Sequence, residues 1–220
     1  MKKLFEGVFS ENERLYTKNL VPGTNVYGEH LLTQGSLEYR EWIPWRSKLG
    51  AAIKNGLKKL PLKQGSSVLY LGSSEGTTSS HVSDIVGEKG ILFGVDVSER
   101  VMRKFIHLCE ERENMVPVLA DANKPSSYSK HLEGTNIDLL FQDISQKNQA
   151  EIFNKNARLF LEKGKTGLIA LKAKSISQKE SPKKIFQKEI VELEKEFVVK
   201  QIISLEPFEK DHVMVFGEKK

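Results

Sequence analysis

The sequence is poor in the residues that form disulfide frameworks and metal centres. Among 220 residues there is one cysteine, Cys109, so no internal disulfide can form. The five histidines lack metal-ligand spacing, and no Cys/His cluster is present. No G-x-S-x-G motif of a serine hydrolase occurs either. We therefore expect neither a disulfide scaffold nor a metal site.

Long apolar runs are also missing. No run approaches the ~20 residues that a membrane span needs, and charged residues interrupt the amino-terminal segment MKKLFEGVFSENERL too early for a signal peptide. We expect a soluble, cytoplasmic protein with no membrane partner. The net charge is only +5, but residues 163–188 contain eight lysines and one acid, Glu180. This segment is a candidate phosphate-contacting surface, and an ordinary solvated helix face is the alternative.

The amino-terminal part differs in pattern from the rest of the chain. Residues 1–45 carry scattered aromatics between turn signals and show no sustained helical period, which predicts a small β-rich unit. Residues 46–220 would form the second domain. Near the boundary, the apolar positions of residues 41–60 predict one helical face, with Lys48 in the first turns of that helix; the positions are Leu49, Ala52, Ile53, Leu57 and Leu60.

From Val68 onward, strand patterns alternate with helix patterns. The predicted strands are 68–72, 91–97, 115–120, 137–143, 166–172, 198–205 and 212–217, and the predicted helices are 77–86, 98–112, 147–162 and 181–197. This alternation predicts an α/β fold with a doubly wound, mostly parallel, Rossmann-like sheet. The last two strands are joined by residues 206–211, too few for a parallel crossover, and should form an antiparallel hairpin.

The stretch VLYLGSSEGTTSSHVSD, residues 68–84, has the pattern of a ligand-binding turn. Gly72 and Gly76 bracket a polar turn after a buried strand, where the absence of Cβ atoms lets a ligand approach the backbone. Thr77 and Thr78 then open a helix whose first amides are unpaired. The spacing G-x-x-x-G matches neither the dinucleotide fingerprint nor the P-loop. A plain strand-to-helix turn is the alternative.

Polar residues end the strands that follow. Asp96, 24 positions after Gly72, is placed to accept hydrogen bonds from two ribose hydroxyls, although it could instead cap the next helix. Asp121, Asp143 and Lys172 end three later strands. All four should project over the carboxyl edge of the sheet, where open α/β sheets bind ligands.

With these residues in place, the sequence closely resembles the fibrillarin family, the S-adenosylmethionine-dependent RNA ribose 2′-O-methyltransferases of box C/D guide ribonucleoproteins. The resemblance covers nearly the whole chain, without the glycine/arginine-rich extension of eukaryotic members, so the archaeal type is indicated. Departures from the usual family pattern are Glu75, Asp96-Val97 and Ile144-Ser145. The segments that carry the resemblance are NVYGE (25–29), EYREWIPWRSKLGAAI (38–53), VLYLGSSEGTTSSHVSDIVG (68–87), DAN (121–123), QDISQ (142–146) and LEPFEKDHVMVFG (205–217).

The resemblance implies a fold, a site and partners. The sheet should be that of class I methyltransferases, in a methyltransferase domain over residues 46–220. The partners would be a box C/D guide RNA, target rRNA and tRNA, a Nop-domain scaffold protein and a kink-turn-binding ribosomal-type protein. S-adenosylmethionine would contact Gly72, Gly76, Thr77, Thr78, Asp96, Val97, Asp121, Ala122, Asp143, Ile144, Ser145 and Gln146. The implied catalytic group is Lys48, Asp143, Lys172 and His212.

The chemistry suggests how this group divides its work. The ribose hydroxyl must lose a proton, and an amine crowded by another cation gives up its own proton more readily and becomes available as a base. We expect Lys172 to be the base, Asp143 to orient it and offset cationic charge, and Lys48 and His212 to position the ribose or phosphate. Asp143 as the base is the alternative. Two other readings of the chain are a non-catalytic RNA scaffold and a nicotinamide-dependent oxidoreductase.

Overall fold

A computed structural model describes all residues, 1–220, and shows an antiparallel sheet at the amino terminus. Its order is β1-β2-β3-β5-β4. The predicted β-rich unit is thereby confirmed, while the domain boundary at residues 45 and 46 stays a prediction. The five strands are β1 (Lys2–Phe5), β2 (Val8–Glu11), β3 (Arg14–Lys18), β4 (Leu31–Gln34) and β5 (Leu37–Trp42).

A seven-stranded sheet follows, in the order β8-β7-β6-β9-β10-β12-β11. Strands β6 to β10 are parallel, whereas β12 pairs antiparallel with both β10 and β11. The predicted Rossmann-like sheet and its terminal hairpin are confirmed. The strands are β6 (Ser67–Leu71), β7 (Ile91–Asp96), β8 (Met115–Leu119), β9 (Ile137–Gln142), β10 (Leu161–Lys172), β11 (Phe197–Ser204) and β12 (His212–Lys219).

Six α-helices accompany the strands, and none is long and apolar enough to cross a membrane. Those of the alternating region lie where the sequence predicts them to within a few residues at each end. The short α5 was not predicted. The helices are α1 (Lys48–Lys54), α2 (Thr77–Val86), α3 (Glu99–Glu111), α4 (Gln149–Phe160), α5 (Ala173–Ile176) and α6 (Pro182–Leu193).

The helix predicted to carry one apolar face as far as Leu60 is wrong in its length. A 3-10 turn at Pro44–Arg46 precedes α1, which ends at Lys54. The helix ends at a glycine: Gly56 has φ of +91°, and the amide of Leu57 donates to the carbonyl oxygen of Ala52 at 2.9 Å. The side-chain amide of Asn55 also donates to the carbonyl oxygens of Ser204 and Glu206, at 2.7 and 2.8 Å. Leu57 and Leu60 are buried all the same, but from a segment without regular secondary structure.

A buried charge network joins the amino-terminal sheet to α2 and to the residue after α3. Arg40 on β5 donates to Glu29 Oε1 at 2.6 Å, Asp84 Oδ2 at 3.0 Å and Ser80 Oγ at 2.9 Å. Arg112, after α3, donates to Asp84 Oδ1 at 2.7 Å. Because all four charged groups are removed from water, each depends on its partners, and the amino-terminal sheet is fixed against α2.

Candidate active site at the carboxyl edge of the sheet

The glycine turn after β6 is shaped mainly by the protein around it. Gly72 has φ of +83°, and a Cβ atom there would lie 2.3 Å from the carbonyl oxygen of Asp143. Gly76, with φ of +100°, would place a Cβ 2.4 Å from a Leu108 methyl group. We expected these glycines to admit a ligand. The structure shows that positive φ and contact with neighbouring segments already require them.

Asp96 makes a hydrogen bond at the start of α3 and a second one to the glycine turn, while its contact with ribose hydroxyls stays a prediction. Its Oδ1 accepts from the amide of Ser98 at 2.9 Å, at the start of α3, and its Oδ2 accepts from the amide of Ser74 at 3.0 Å, in the glycine turn. A carboxylate has about four lone-pair positions, so two stay free for further donors. Asp96 therefore fixes the turn and still offers acceptors.

A cleft of about 350 Å³ lies beside this carboxylate. Its volume is within the range of small-ligand sites. The exposed side chain of Val97, 62% accessible, offers an apolar surface at one wall. Eleven residues line the cleft, and eight of them belong to the expected cofactor set; the lining is Gly72, Ser74, Val95, Asp96, Val97, Ala120, Ala122, Asp143, Ile144, Ser145 and Gln146.

The remaining members of the expected set lie outside this lining. Thr77 borders a neighbouring groove of about 560 Å³. Thr78 is buried, with Oγ1 2.9 Å from Ser47 Oγ, and Asp121 accepts a hydrogen bond from the amide of Asn123 at 2.9 Å. Gly76 acts as the residue before α2. Contacts of these four residues with a cofactor stay predictions.

Lys48 and Asp143 meet at the edge of the cleft. Lys48 Nζ lies 2.9 Å from Asp143 Oδ2, and about a fifth of each side chain is accessible. Lys48 starts α1, whose preceding residue Ser47 accepts a hydrogen bond from the amide of Gly50, while Asp143 directly follows β9. The helix start and the strand end thus bring together two residues that are 95 positions apart.

His212 and Lys172 lie opposite each other on β12 and β10. His212 Nδ1 is 2.7 Å from the carbonyl oxygen of Lys210, so Nδ1 carries the proton, and the buried Nε2 has no partner in the protein. Burial lowers the pKa of His212 below its usual value and Lys48 adds to this effect, which the Lys210 carbonyl partly offsets. The ring is therefore neutral at pH 7, with Nε2 as an acceptor.

The ammonium group of Lys172 has no hydrogen-bond or ion-pair partner in the protein. We expected Asp143 to orient Lys172, but in the structure Asp143 pairs with Lys48. Lys172 is held through its backbone, by Gln149. The structure thus brings the four expected catalytic residues to one edge, and the division of roles among them stays a prediction.

Sequence reasoning missed Gln149. It is completely buried at the start of α4, and its amide binds the backbone of both Lys172 and Gln146. A glutamine beside Ala150, Ile152 and Phe153, on what reads as an apolar helix face, was the available signal. Buried amides in such positions almost always have hydrogen-bond partners.

The lysine-rich segment 163–188 is spread over β10, α5 and α6. Lys165, near the start of β10, pairs with Asp138 at 2.7 Å, whereas Lys172 ends the same strand seven residues away, about 23 Å along it. Lys174 and Lys188 pair with Asp211 and Glu180. Several lysines of the segment thus have acidic partners, and phosphate contact by the segment stays a prediction.

Comparison with known proteins adds a family to this geometry. The fibrillarin family profile matches residues 1–220. The chain is 48% identical to a "Fibrillarin-like rRNA/tRNA 2'-O-methyltransferase" of Methanococcus maripaludis, over 99% of this chain and 95% of the relative.

Two solved structures are also similar. One is Aeropyrum pernix fibrillarin in complex with natively bound S-adenosyl-L-methionine, 43% identical, with a TM-score of 0.86, covering 93% of this chain and 88% of that chain. The other is a fibrillarin/Nop5p complex, 39% identical, with a TM-score of 0.91 and complete coverage of both chains. Full-length agreement in sequence and fold shows that this chain belongs to the fibrillarin family.

Proposed function

We propose that this chain is an S-adenosylmethionine-dependent RNA ribose 2′-O-methyltransferase that acts on rRNA and tRNA as the catalytic subunit of a guide-RNA particle. The observation that carries the proposal is the Lys48–Asp143 ion pair, which lies at the rim of the 350 Å³ cleft on the edge that also bears Lys172 and His212. The relatives' names, with their rRNA and tRNA substrates, support the reaction class.

The cleft suits S-adenosylmethionine in chemistry as well as in size. Asp96 offers free lone pairs to two ribose hydroxyls, and the exposed Val97 offers an apolar contact to the adenine. Asp143 to Gln146 form the wall that would face the methionine end. When bound, S-adenosylmethionine supplies a methyl group activated by its positively charged sulfur.

The protein's own residues align the acceptor and take up its proton. In-line methyl transfer to the 2′-oxygen needs that oxygen held in place, and good alignment contributes up to ~7–11 kcal/mol. Lys172, whose side chain has no partner, takes the hydroxyl proton as the base in its neutral form. Asp143 offsets the charge of Lys48, and Lys48 and His212 position the ribose or its phosphate.

Specificity is assigned to RNA pairing and to partner proteins. The solved fibrillarin/Nop5p complex supports a Nop-domain scaffold as a partner. To it we add a box C/D guide RNA and a kink-turn-binding protein, since the chain has no recognisable RNA-reading module. Exposed cations contact phosphate but carry no sequence information. Assembly takes place in the cytoplasm, where the rRNA and tRNA substrates of an archaeal cell are located.

The test is single-turnover methylation of a target RNA by the isolated chain and by the particle reconstituted with guide RNA and both partner proteins. The modified ribose is then mapped. We expect one methylated ribose in the particle and little product from the isolated chain, because non-specific phosphate binding of 10⁻⁴–10⁻⁶ M does not align one ribose. Equal, site-specific activity without partners would refute the particle requirement. Absence of methylation in the complete particle would favour the non-catalytic scaffold.

A further inference from the structure

The side chain of Gln149 binds three backbone groups at the candidate active site. Its Oε1 accepts a hydrogen bond from the amide of Lys172 at 2.9 Å. Its Nε2 donates to the carbonyl oxygen of Gln146 at 2.9 Å and, more weakly, to that of Lys172 at 3.4 Å. The donor and the acceptor of this buried side-chain amide therefore both have partners, which lie at the end of β10 and in the loop after β9.

The need for this contact follows from the sheet. The last residue pair between β10 and β9 is Ile169 with Gln142, so Lys172 lies three residues beyond its parallel neighbour. On its other side, Lys172 lies opposite His212 of β12. A primary amide carries a donor and an acceptor, as a peptide group does. The side chain of Gln149 thus makes the hydrogen bonds to the Lys172 backbone that a longer β9 would otherwise make.

Gln149 is itself fixed. It begins α4, and its backbone carbonyl accepts a hydrogen bond from Gln142 Nε2 at 2.8 Å, at the end of β9. The next residue, Ala150, donates its amide to Glu189 Oε2 of α6 at 2.9 Å. These contacts fix Gln149 relative to the sheet. The backbone groups of Lys172 and Gln146 that it binds are therefore fixed relative to each other.

We infer that Gln149 is a positioning residue that fixes the end of β10, with Lys172, relative to the cleft loop 143–146. This inference rests on the function proposed above. A methyl donor bound against the loop and a base on the strand end must keep one relative geometry, and a displacement of 1 Å can lower a rate about 10²-fold. Gln149 touches neither reactant and acts through Lys172 and Gln146.

Gln149→Met tests the role, because methionine has a similar volume and removes both the donor and the acceptor. The matched control is Asn154→Leu on the same helix. Asn154 is also completely buried and donates to the carbonyl oxygen of Glu192 at 2.6 Å, outside the cleft lining. Both variants lose buried hydrogen bonding in α4, and both should melt at a lower temperature than the wild type.

The two variants should differ in turnover. In the assembled particle, with saturating S-adenosylmethionine and target RNA, we expect Gln149→Met to lower the single-turnover rate ten- to a hundredfold, while affinity for S-adenosylmethionine stays within a few-fold. Asn154→Leu should keep the wild-type rate. Equal rates for the two variants, whether both normal or both reduced, would overturn the inference.

A second measurement does not depend on catalysis. Hydrogen exchange at the Lys172 amide, in the free full-length chain, should be faster by tenfold or more in Gln149→Met and unchanged in Asn154→Leu. Unchanged exchange in Gln149→Met would overturn the inference even if turnover falls. If the free variants show this exchange pattern but wild-type particles transfer no methyl group, the proposed function is refuted and the contact itself is established.

Discussion

Replacing Arg40 with methionine should strongly destabilise the protein, because Arg40 is the cation between two buried carboxylates. Its guanidinium contacts Glu29, Asp84 and Ser80 at 2.6, 3.0 and 2.9 Å, and neither carboxylate reaches solvent. Methionine fills much of the space and supplies no charge. Glu29 would then lose its only cationic partner, while Asp84 would keep Arg112.

The expected size follows from this geometry. Removing one partner of a buried ion pair typically costs about 3–5 kcal/mol, because the other charge stays buried. For a chain of this length each kcal/mol lowers Tm by roughly 2–4 °C, so Arg40→Met should melt about 6–20 °C below the wild type. Arg158→Met is the control, since Arg158 pairs with Glu196 at 2.6 Å but is half exposed. Exposed pairs contribute about 0–1 kcal/mol.

The stability lost in Arg40→Met should also depend on pH. Burial alone would raise the pKa of Glu29, but Arg40 and the amides of Tyr27 and Val26 outweigh it and hold the pKa below its usual value. A lowered carboxyl pKa stabilises the fold above the unfolded-state pKa of about 4.3, and this contribution disappears as the pH falls through the folded-state pKa. Without Arg40 the effect of burial is less opposed and the pKa of Glu29 rises, so the cost of a charged Glu29 in Arg40→Met is full near pH 7 and falls as the carboxylate takes up a proton. The deficit of Arg40→Met should therefore be largest near pH 7 and shrink towards pH 4.

The assay is urea unfolding of the wild type, Arg40→Met and Arg158→Met at pH 7, 5.5 and 4, with circular dichroism as the signal. The m-value reports whether the unfolded surface is the same in all three proteins. If Arg40→Met is as stable as Arg158→Met, or its deficit is independent of pH, the buried network does not hold the amino-terminal sheet against α2 as described.

Three further predictions concern the cleft and the edge. Asp96→Ala should weaken S-adenosylmethionine binding more than tenfold in calorimetry, since charged hydrogen bonds contribute roughly 1.5–3 kcal/mol; unchanged affinity would remove Asp96 from the site. Lys172→Ala should lower single-turnover methylation by ~10²–10⁴ and leave cofactor affinity within a few-fold, and near-normal turnover in the particle would exclude Lys172 as the base. Gly72→Ala should lower both Tm and cofactor affinity, because its Cβ would lie 2.3 Å from the Asp143 carbonyl oxygen and its φ is +83°; a wild-type melting curve would contradict this.

Most of the sheet could be predicted because its signals are local. Apolar runs separated by helix patterns mark parallel strands whatever the rest of the chain does, and the short 206–211 connection specifies the hairpin. The end of α1 was missed although its signal is also local: Gly56, with φ of +91°, follows Asn55, and the amide of Leu57 donates to the carbonyl oxygen of Ala52 at 2.9 Å. The anchoring of Asn55 to residues 149 and 151 positions away could not be predicted, because no window around residue 55 contains that information.

Some residues of the candidate site could likewise be predicted from local patterns, and others could not. Asp96, Asp143 and Lys172 end strands, so strand-end reasoning placed all three on one edge without any family resemblance. Lys48 and His212 came only from the resemblance. The position of His212 could in principle have been predicted from the sequence, because an antiparallel strand begins at the edge where its parallel neighbours end, and His212 begins β12. The position of Lys48 could not have been predicted, since a lysine at a helix start gives no sign of a carboxylate 95 residues later.

The close packing of Gly72 against Asp143 limits how the cleft could be redesigned. Enlarging the cleft for a bulkier cofactor analogue normally means trimming a wall, but this wall is backbone against backbone and has nothing to trim. The amide of Asp143 also donates to the carbonyl oxygen of Leu71 at 2.9 Å, so a shift of the turn would carry the Lys48–Asp143 pair with it. Val97 and Ser145, both exposed, can change size independently of that pair. An engineer who wants a new cofactor while keeping the chemistry should therefore randomise these two positions and leave the glycine turn alone.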